Sequence, residues 1–396
     1  MSDGALTGLV VLDLSENISG PYCTKLLADY GADVIKIEKP ACGDASRRAG
    51  PFPNDKPDME KSGLFLFLNT SKKSITLDIE HNIGRDIFMR LAKRTDIVVE
   101  NSKPGTMTKL GLNYEALAKI NPKLIMASIS YFGQTGPYRD WNGSDIVAQA
   151  MGGLMHLTGD PEREPLKPPL SQAEFQAGIN AAVAILCAVY CRDATGEGQY
   201  IDISVQEAVA SILEGTISTY SYSKSVLNRT GARHRYKCPS TIMKAKDDYI
   251  HMEAGAYWDH FAAMIESPEL LQPRLASILR YRHADEVEEA IRPWVESHTA
   301  DEIFTKGQEW RMPVAKVMSI EELTSDPQYV DRGFFQNIDH PQAGRLKYPG
   351  APFKMSETPA NINRAPLLGE HNDEIYPALL NLSRDELAGL RERNVI

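Results

Sequence analysis

Hydrophobic and polar positions along the chain follow two rhythms. Leu9 to Leu14, LVVLDL, is a short apolar run of strand type, and Gly20-Pro21 breaks the chain before a helical pattern over 22–30. Gly31 closes that helix, and residues 32–38, ADVIKIE, form a second strand carrying Val34, Ile35 and Ile37. Such a strand-helix-strand unit closes as a right-handed parallel crossover. The rhythm continues with a strand at 74–78, a helix at 83–94, the strand IVVE at 97–100, a helix at 114–120 and a strand at 124–132. This order argues an α/β fold. Residues 101–105, NSKPG, are turn chemistry at a strand's carboxyl end, where open α/β sheets bind ligands.

Residues 171–205 read as an apolar helix, a Gly-rich turn and a short strand, with a further helical stretch over 206–227. The segment 228–238, NRTGARHRYKC, is basic and turn-rich, with Arg229, Arg233 and Arg235 placed either to clamp a carboxylate or to serve as a solvated linker. Beyond it the alternation changes, with strands near 240–244 and 249–253 and helices at 257–265, 284–296 and 300–307, a smaller α+β domain. Residues 327–359 carry five prolines and read as extended return chain, before a last helix capped by Ser383 and Glu386. The first unit lacks a G-x-G-x-x-G turn, so a Rossmann-like fold is predicted without a dinucleotide.

A chain of 396 residues is long enough for two domains, and 42% hydrophobic with 24% charged residues is ordinary globular composition. The formal net charge of -10 argues against nucleic acid as a partner. The strongly apolar run from Ala181 to Tyr190 is about half of what a membrane span needs, so no membrane association is expected. No secretory signal is visible, and five cysteines without a C-x-x-C pair suggest neither disulfides nor a metal site. Cys187 and Cys191, four apart on one helix, read as packed thiols, and the cytoplasm is the expected location.

Against this background one carboxylate stands out. After Lys167 the next ionisable side chain is Glu174, and only thiols and a phenol follow it before Arg192. Ser171 and Glu174 fit the capping box S-x-x-E, which would make the acid a helix cap. Alternatively, a carboxylate ionised near neutral pH is a nucleophile that needs no general base. Lys36, Lys39, Arg47, Arg48, Lys72, Lys73, Lys103 and Lys109 recur at strand ends or in the loops that follow. In an acidic chain they read as solvated charges singly, and as a site for an anion, such as a phosphorylated ligand, together.

Four stretches carry a resemblance that spans nearly the whole chain. They are residues 6–21 with 26–44; ENSKPGTMTKLGL (100–112) with NPKLIMASISYFGQTGPY (121–138); DIVAQAMGGLMHLTGDP (145–161) running into 171–205 with its TGEGQYIDIS; and APLLGEHNDEI (365–375). In these the chain resembles the family III CoA-transferases, the CaiB/BaiF type. The resemblance implies an α/β fold in which a large Rossmann-like domain is built from both chain ends, residues 1–225 and 326–396. A smaller central α+β domain with its linkers covers 226–325, and two subunits interlink as a homodimer. It implies an enzyme that moves CoA from an acyl-CoA donor to a carboxylic acid, with coenzyme A and acyl-CoA as substrates and no metal.

The family nucleophile is an aspartate four residues before a glycine. Gly178 and the run 195–199, TGEGQ, match, and Glu174 holds the nucleophile position. Gly255 in EAGAYW matches the region whose backbone N–H groups hold oxyanions. Coenzyme contacts carry over to Asn17, Ile18, Ser19, Lys39, Lys72, Lys103 and Lys109, and acceptor contacts are expected at Ser144, Tyr131 and Arg233. Ser144 stands where the family's racemase branch has a histidine, which argues against that chemistry. The replacement of Asp by Glu leaves two alternatives to a transferase acting alone: a non-catalytic subunit of a hetero-oligomer, and an acyl-CoA hydrolase, lyase or isomerase.

Overall fold

A computed structural model describes residues 4–396. They cluster into two compact units, one of residues up to 154, 169–214 and 331–396, the other of 155–168 and 215–330. The first unit is built on six parallel strands: β1 (Val10–Asp13), β2 (Asp33–Glu38), β3 (Lys73–Thr76), β4 (Ile97–Glu100), β5 (Ile125–Ser130) and β6 (Tyr200–Ser204). Their order is β3-β2-β1-β4-β5-β6, with Val11 paired to Val34 on one side and Ile97 on the other. The order reverses between β1 and β4, so a crevice opens outside the carboxyl ends of these two strands.

Neighbouring strand residues serve opposite faces, and both faces are covered, which is why the central strands are mostly apolar. Val11, Ile97, Val99, Ile125 and Ala127 pack with Leu27 and Ala28 of α1 (Ser19–Asp29). Leu12, Ile35, Val98 and Met126 pack on the other side with Ile87, Phe88 and Leu91 of α2 (Asn82–Ala92). Tyr376, Leu380 and Val395 join that second core, and the Tyr376 hydroxyl donates to the carbonyl of Thr76 at 2.7 Å. The chain's final segment is therefore part of the sheet's cover.

Two further helices position the site, α3 (Asp145–Met151) and α4 (Gln172–Thr195). Ala173, Ala177, Ala181, Ala182, Ile185 and Ala188 turn one face of α4 into the core. At Gly178 an added Cβ would lie 2.7 Å from the Ser19 carbonyl oxygen, so glycine is what lets α4 approach the start of α1. The opposite face, with Ile179, Val183, Leu186 and Tyr190, is exposed. Cys187 and Cys191 lie on it and are exposed rather than packed. At 24 residues, with a mean hydropathy of 1.4 over an 18-residue stretch, α4 is long and apolar enough to cross a membrane, which the 181–190 run had not suggested. The apolar count rises because small core alanines flank that run.

The helix expected over 206–227 is two, Val205–Ser211 and Thr216–Ser223, with Glu214 left-handed at φ 45° between them. The second unit has the antiparallel sheet β7 (Ser240–Lys244), β8 (Tyr249–Glu253) and β9 (Val314–Lys316). Its helices Trp258–Met264, Ala284–Ser297 and Ala300–Glu309 supply Phe261, Ile291 and Ile303 to a core with Ile250 and Met252. The return chain is not simply extended. It folds into a hairpin of β10 (Phe335–His340) and β11 (Gly344–Pro349).

Candidate functional site

The crevice begins with charges buried behind it. Asp13, at the end of β1, accepts hydrogen bonds from the Thr24 hydroxyl at 2.7 Å and the Lys72 ammonium at 3.0 Å, and Lys36 lies 3.8 Å away. Burial alone would raise the Asp13 pKa, but the two lysines outweigh it and hold the carboxyl far below the usual range. Lys36 also pairs with Asp44 at 2.8 Å, and the other Asp44 oxygen accepts the N–H of Asn17 at 3.0 Å. Glu16 and Asn101 then exchange backbone–side-chain bonds at 2.9 and 2.7 Å, tying the turn after β1 to the turn after β4. Asn17 is thereby fixed in a left-handed conformation, φ 64°, at the crevice mouth.

Two adjoining cavities share Asn17, Asn101 and Ser102. One, of about 310 Å³, runs past Lys39. The other, of about 150 Å³, is lined by Ser19, Lys103, Tyr131, Arg139, Trp141, Gly143 and Glu174. In its wall the Ser130 hydroxyl is buried with no hydrogen-bond partner among the described residues. A polar ligand would satisfy it.

Glu174 stands in the first turn of α4 and is 8% exposed. The capping box expected with Ser171 is absent, since the Ser171 side chain makes no capping bond. Asp145 of α3 does that work: its Oδ1 accepts the N–H of Ala173 at 2.9 Å and of Glu174 at 3.3 Å. The chain does build the box elsewhere, at Thr299/Glu302, Ser319/Glu322 and Ser383/Glu386. At Glu174 the carboxylate has another partner, the Tyr131 hydroxyl, which donates a short hydrogen bond to Oε1. Oε2 accepts no hydrogen bond among the described residues. Burial raises the Glu174 pKa; the bond from Tyr131 lowers it and the Asp145 charge raises it further. The phenol is pushed up by burial and by Glu174, so it stays a donor.

Tyr131 owes its place to Gly143. A Cβ at Gly143 would fall 2.2 Å from the Tyr131 Cγ, so any side chain there would displace the ring. The Tyr131 carbonyl is held by the N–H of Gln206 at 3.0 Å.

The other expected residues divide clearly. Asn17, Ser19 and Lys103 line the smaller cavity and Lys39 the larger. Ile18 caps α1 half-buried without lining either, and Lys109 is exposed on the short helix Thr106–Leu110. Lys72 is a correction: its ammonium is buried and spent on Asp13, the Pro21 carbonyl at 2.9 Å and Asn69 at 2.9 Å. Lys36 and Arg47 are likewise buried, Arg47 on Glu38 at 2.6 Å and Glu60 at 2.7 Å. The basic sheet edge is therefore partly an internal ionic network, because sequence does not show which lysines turn inward.

Tyr131, expected as an acceptor contact, lines the smaller cavity and donates to Glu174 there. Ser144 begins α3 without a capping bond, between Gly143 and Asp145, and does not line the cavity. Within the second unit Arg233 pairs with Glu288 at 2.7 Å and Asp285 at 2.6 Å, so its carboxylates come from this chain. Gly255, also there, is left-handed at φ 53°, and its carbonyl accepts from Arg280. Sequence reasoning missed Asp145, Gly143 and Arg139; the run of Gly143 and Asp145 just before a helix was the available signal. No group of three His, Cys, Asp or Glu side chains suited to a metal occurs among the described residues.

Comparison with known proteins gives this arrangement a context. A family model described as CoA-transferase family III matches residues 6–372. The succinyl-CoA–D-citramalate CoA-transferase of Chloroflexus aurantiacus is 35% identical over 98% of this chain and 96% of its own length. The succinyl-CoA:mesaconate CoA-transferase of Haloarcula hispanica is 37% identical over 94% of this chain and 96% of its own. Among solved structures, a CaiB/BaiF family protein from Brucella suis matches with a TM-score of 0.85 and 30% identity, covering 95% of this chain and 100% of that one.

Proposed function

This chain belongs to the family III CoA-transferases, the CaiB/BaiF family, and from that premise we propose that Glu174 is the nucleophile through which it moves CoA between carboxylic acids. The observation that carries the reading is the state of that carboxylate: Oε1 is held by Tyr131, while Oε2 accepts no hydrogen bond among the described residues and the side chain lines the cavity. Oε2 attacks the donor thioester carbonyl, its C–O bond forms as the C–S bond breaks, and CoA thiolate leaves. The thiolate then attacks the glutamyl carbonyl of the anhydride, expelling the donor acid and leaving a glutamyl-CoA thioester. The acceptor carboxylate reverses both steps, and no net proton is consumed.

The larger cavity, beside Lys39, is proposed for the phosphorylated end of the coenzyme, since the smaller one at about 150 Å³ has room only for the thioester end and the acid. Lys103 and Arg139 in the smaller cavity, together with the acids named for the two relatives, favour a dicarboxylic acid as acceptor and its kind as the donor's acyl group. The exposed apolar stripe of α4 supports a homodimer, in which a second copy covers Ile179, Val183, Leu186 and Tyr190. The enzyme is placed by this reading in the cytoplasm, with acyl-CoA and free acids as its partners.

Glu174→Gln tests the mechanism. Gln keeps the side chain's size and cannot form an anhydride, so transfer is expected to vanish in a protein that still folds. Borohydride reduction of the parent enzyme during turnover, followed by peptide mapping, is expected to mark the peptide containing Glu174. Turnover by Glu174→Gln at the parent's rate would refute the assignment.

A further inference from the structure

We propose that Tyr131 is a catalytic residue in its own right, the hydrogen-bond donor that stabilises negative charge on the glutamyl carbonyl. The inference rests on Glu174 being the nucleophile and adds the group that makes its acyl forms reactive. Of the four attacks in a full cycle, the first and last fall on the acyl carbonyl of donor or product. The two between them fall on the carbonyl of Glu174 itself.

In the first of those, CoA thiolate adds to the anhydride: a C–S bond forms, the carbonyl electron pair moves onto Oε1, and the tetrahedral adduct collapses by expelling the donor carboxylate. In the second, the acceptor carboxylate adds to the glutamyl thioester, the pair again moves onto Oε1, and thiolate is expelled. If Oε2 is the attacking atom, Oε1 is the carbonyl oxygen of both intermediates. That is the atom the Tyr131 hydroxyl already meets. A donor aimed in advance at the atom where charge develops is the arrangement that lowers such barriers, with no reorganisation at the moment of reaction.

Three observations fit this role better than substrate binding. Tyr131 is held at its ring by the close approach of Gly143 and at its backbone carbonyl by the N–H of Gln206 at 3.0 Å. The phenol remains protonated, since burial and Glu174 both oppose its ionisation. Asp145 fixes the first turn of α4 from below through two backbone bonds, so carboxylate and phenol are anchored independently.

The test separates the two classes of step. Tyr131→Phe and the enzyme with 3-fluorotyrosine at position 131 are mixed rapidly with an acyl-CoA; free thiol is followed colorimetrically and the glutamyl-CoA thioester by borohydride trapping and peptide mapping. Thiol release reports the first attack, in which charge leaves Glu174, and is expected to change far less than thioester formation in Tyr131→Phe. Thioester formation is expected to slow by about 10²- to 10³-fold, the usual loss for one oxyanion donor. Fluorotyrosine keeps the ring and hydroxyl with a more acidic phenol, so it is expected to form the thioester at least as fast as the parent; a merely structural tyrosine would not respond to phenol acidity. It also keeps the question open to measurement should Tyr131→Phe fold poorly. Thioester formation at the parent's rate in Tyr131→Phe would overturn the proposal while leaving Glu174 in place. Absence of any trapped thioester in the parent would overturn the reading of Glu174 and this proposal with it.

Discussion

Asp145→Ala should weaken α4 where Ser171→Ala does not. Asp145 Oδ1 accepts the N–H groups of Ala173 and Glu174 at 2.9 and 3.3 Å, and its other oxygen takes the Gln149 side-chain N–H at 2.6 Å. Loss of a helix cap costs about 0.5–2 kcal/mol. A negative charge at the positive end of the helix adds about 0.3–1 kcal/mol. With a partly buried side chain whose removal also strands the Gln149 donor, a total of about 2 kcal/mol is expected for Asp145→Ala. Asp145→Asn keeps a capping oxygen and gives up only the charge, for about 0.3–1 kcal/mol. Ser171→Ala removes no bond and should stay within about 0.5 kcal/mol of the parent.

Urea unfolding followed by tryptophan fluorescence gives the three midpoints directly. A functional arm runs in parallel: the Asp145 charge raises the Glu174 pKa, so in Asp145→Asn the acid limb of the rate profile should move to lower pH. If Ser171→Ala lost as much stability as Asp145→Ala, the cap would belong to Ser171 and the reasoning about Glu174 would fail with it.

Other perturbations separate interior charges from those facing the crevice. Lys72→Met should cost about 3–5 kcal/mol by leaving Asp13 short of a partner, yet leave the KM for acyl-CoA within about twofold of the parent, because the ammonium points inward; a large rise in KM with no loss of stability would contradict this. Asp13, held below the usual carboxylate range, contributes stability that is present above about pH 4 and lost as the solution is acidified through its folded pKa; unfolding midpoints measured from pH 6 down to 2 should show that loss. Lys103→Ala, on the crevice, should raise the KM for acyl-CoA about tenfold, equivalent to about 1.4 kcal/mol, with an unchanged unfolding midpoint. Glu174→Asp withdraws the carboxylate by about one C–C bond, 1.5 Å, and should lower kcat by roughly 100-fold; full activity would mean the side-chain length does not matter.

The regular elements of the sheet were readable because both of its faces are covered. A strand buried on two sides is an unbroken apolar run, and IVVE at 97–100 declares itself without any partner. The hairpin β10–β11 did not: Gln336, Asn337, Lys347 and the flanking prolines give no period-2 signal, and its pairing is decided by cross-strand neighbours that sequence does not bring together. Lys36 and Lys72 show the same limit for charge. Each looks like a surface lysine, and only the arrival of Asp13 from β1 and Asp44 from the loop after β2 lets them be buried. Where a cap is local, as at Ser383 and Glu386, spacing was sufficient; at Ser171 the same spacing misled, because the competing cap comes from α3.

That competition explains how a glutamate can occupy this position. An acid at the third residue of a helix normally folds back on its own backbone. Here Asp145 takes the amides of Ala173 and Glu174 that the Ser171 hydroxyl would have capped, and the Glu174 side chain turns to Tyr131 at the cavity rather than back to the helix end. The extra methylene relative to aspartate carries the carboxylate farther from α4, where Tyr131 receives it in a space that only a glycine at 143 leaves open. Glu174, Tyr131, Gly143 and Asp145 are thus a matched set: the longer acid needs a donor beyond aspartate's reach, the donor's ring needs a neighbour without a side chain, and the helix end needs a second acid to take over the cap.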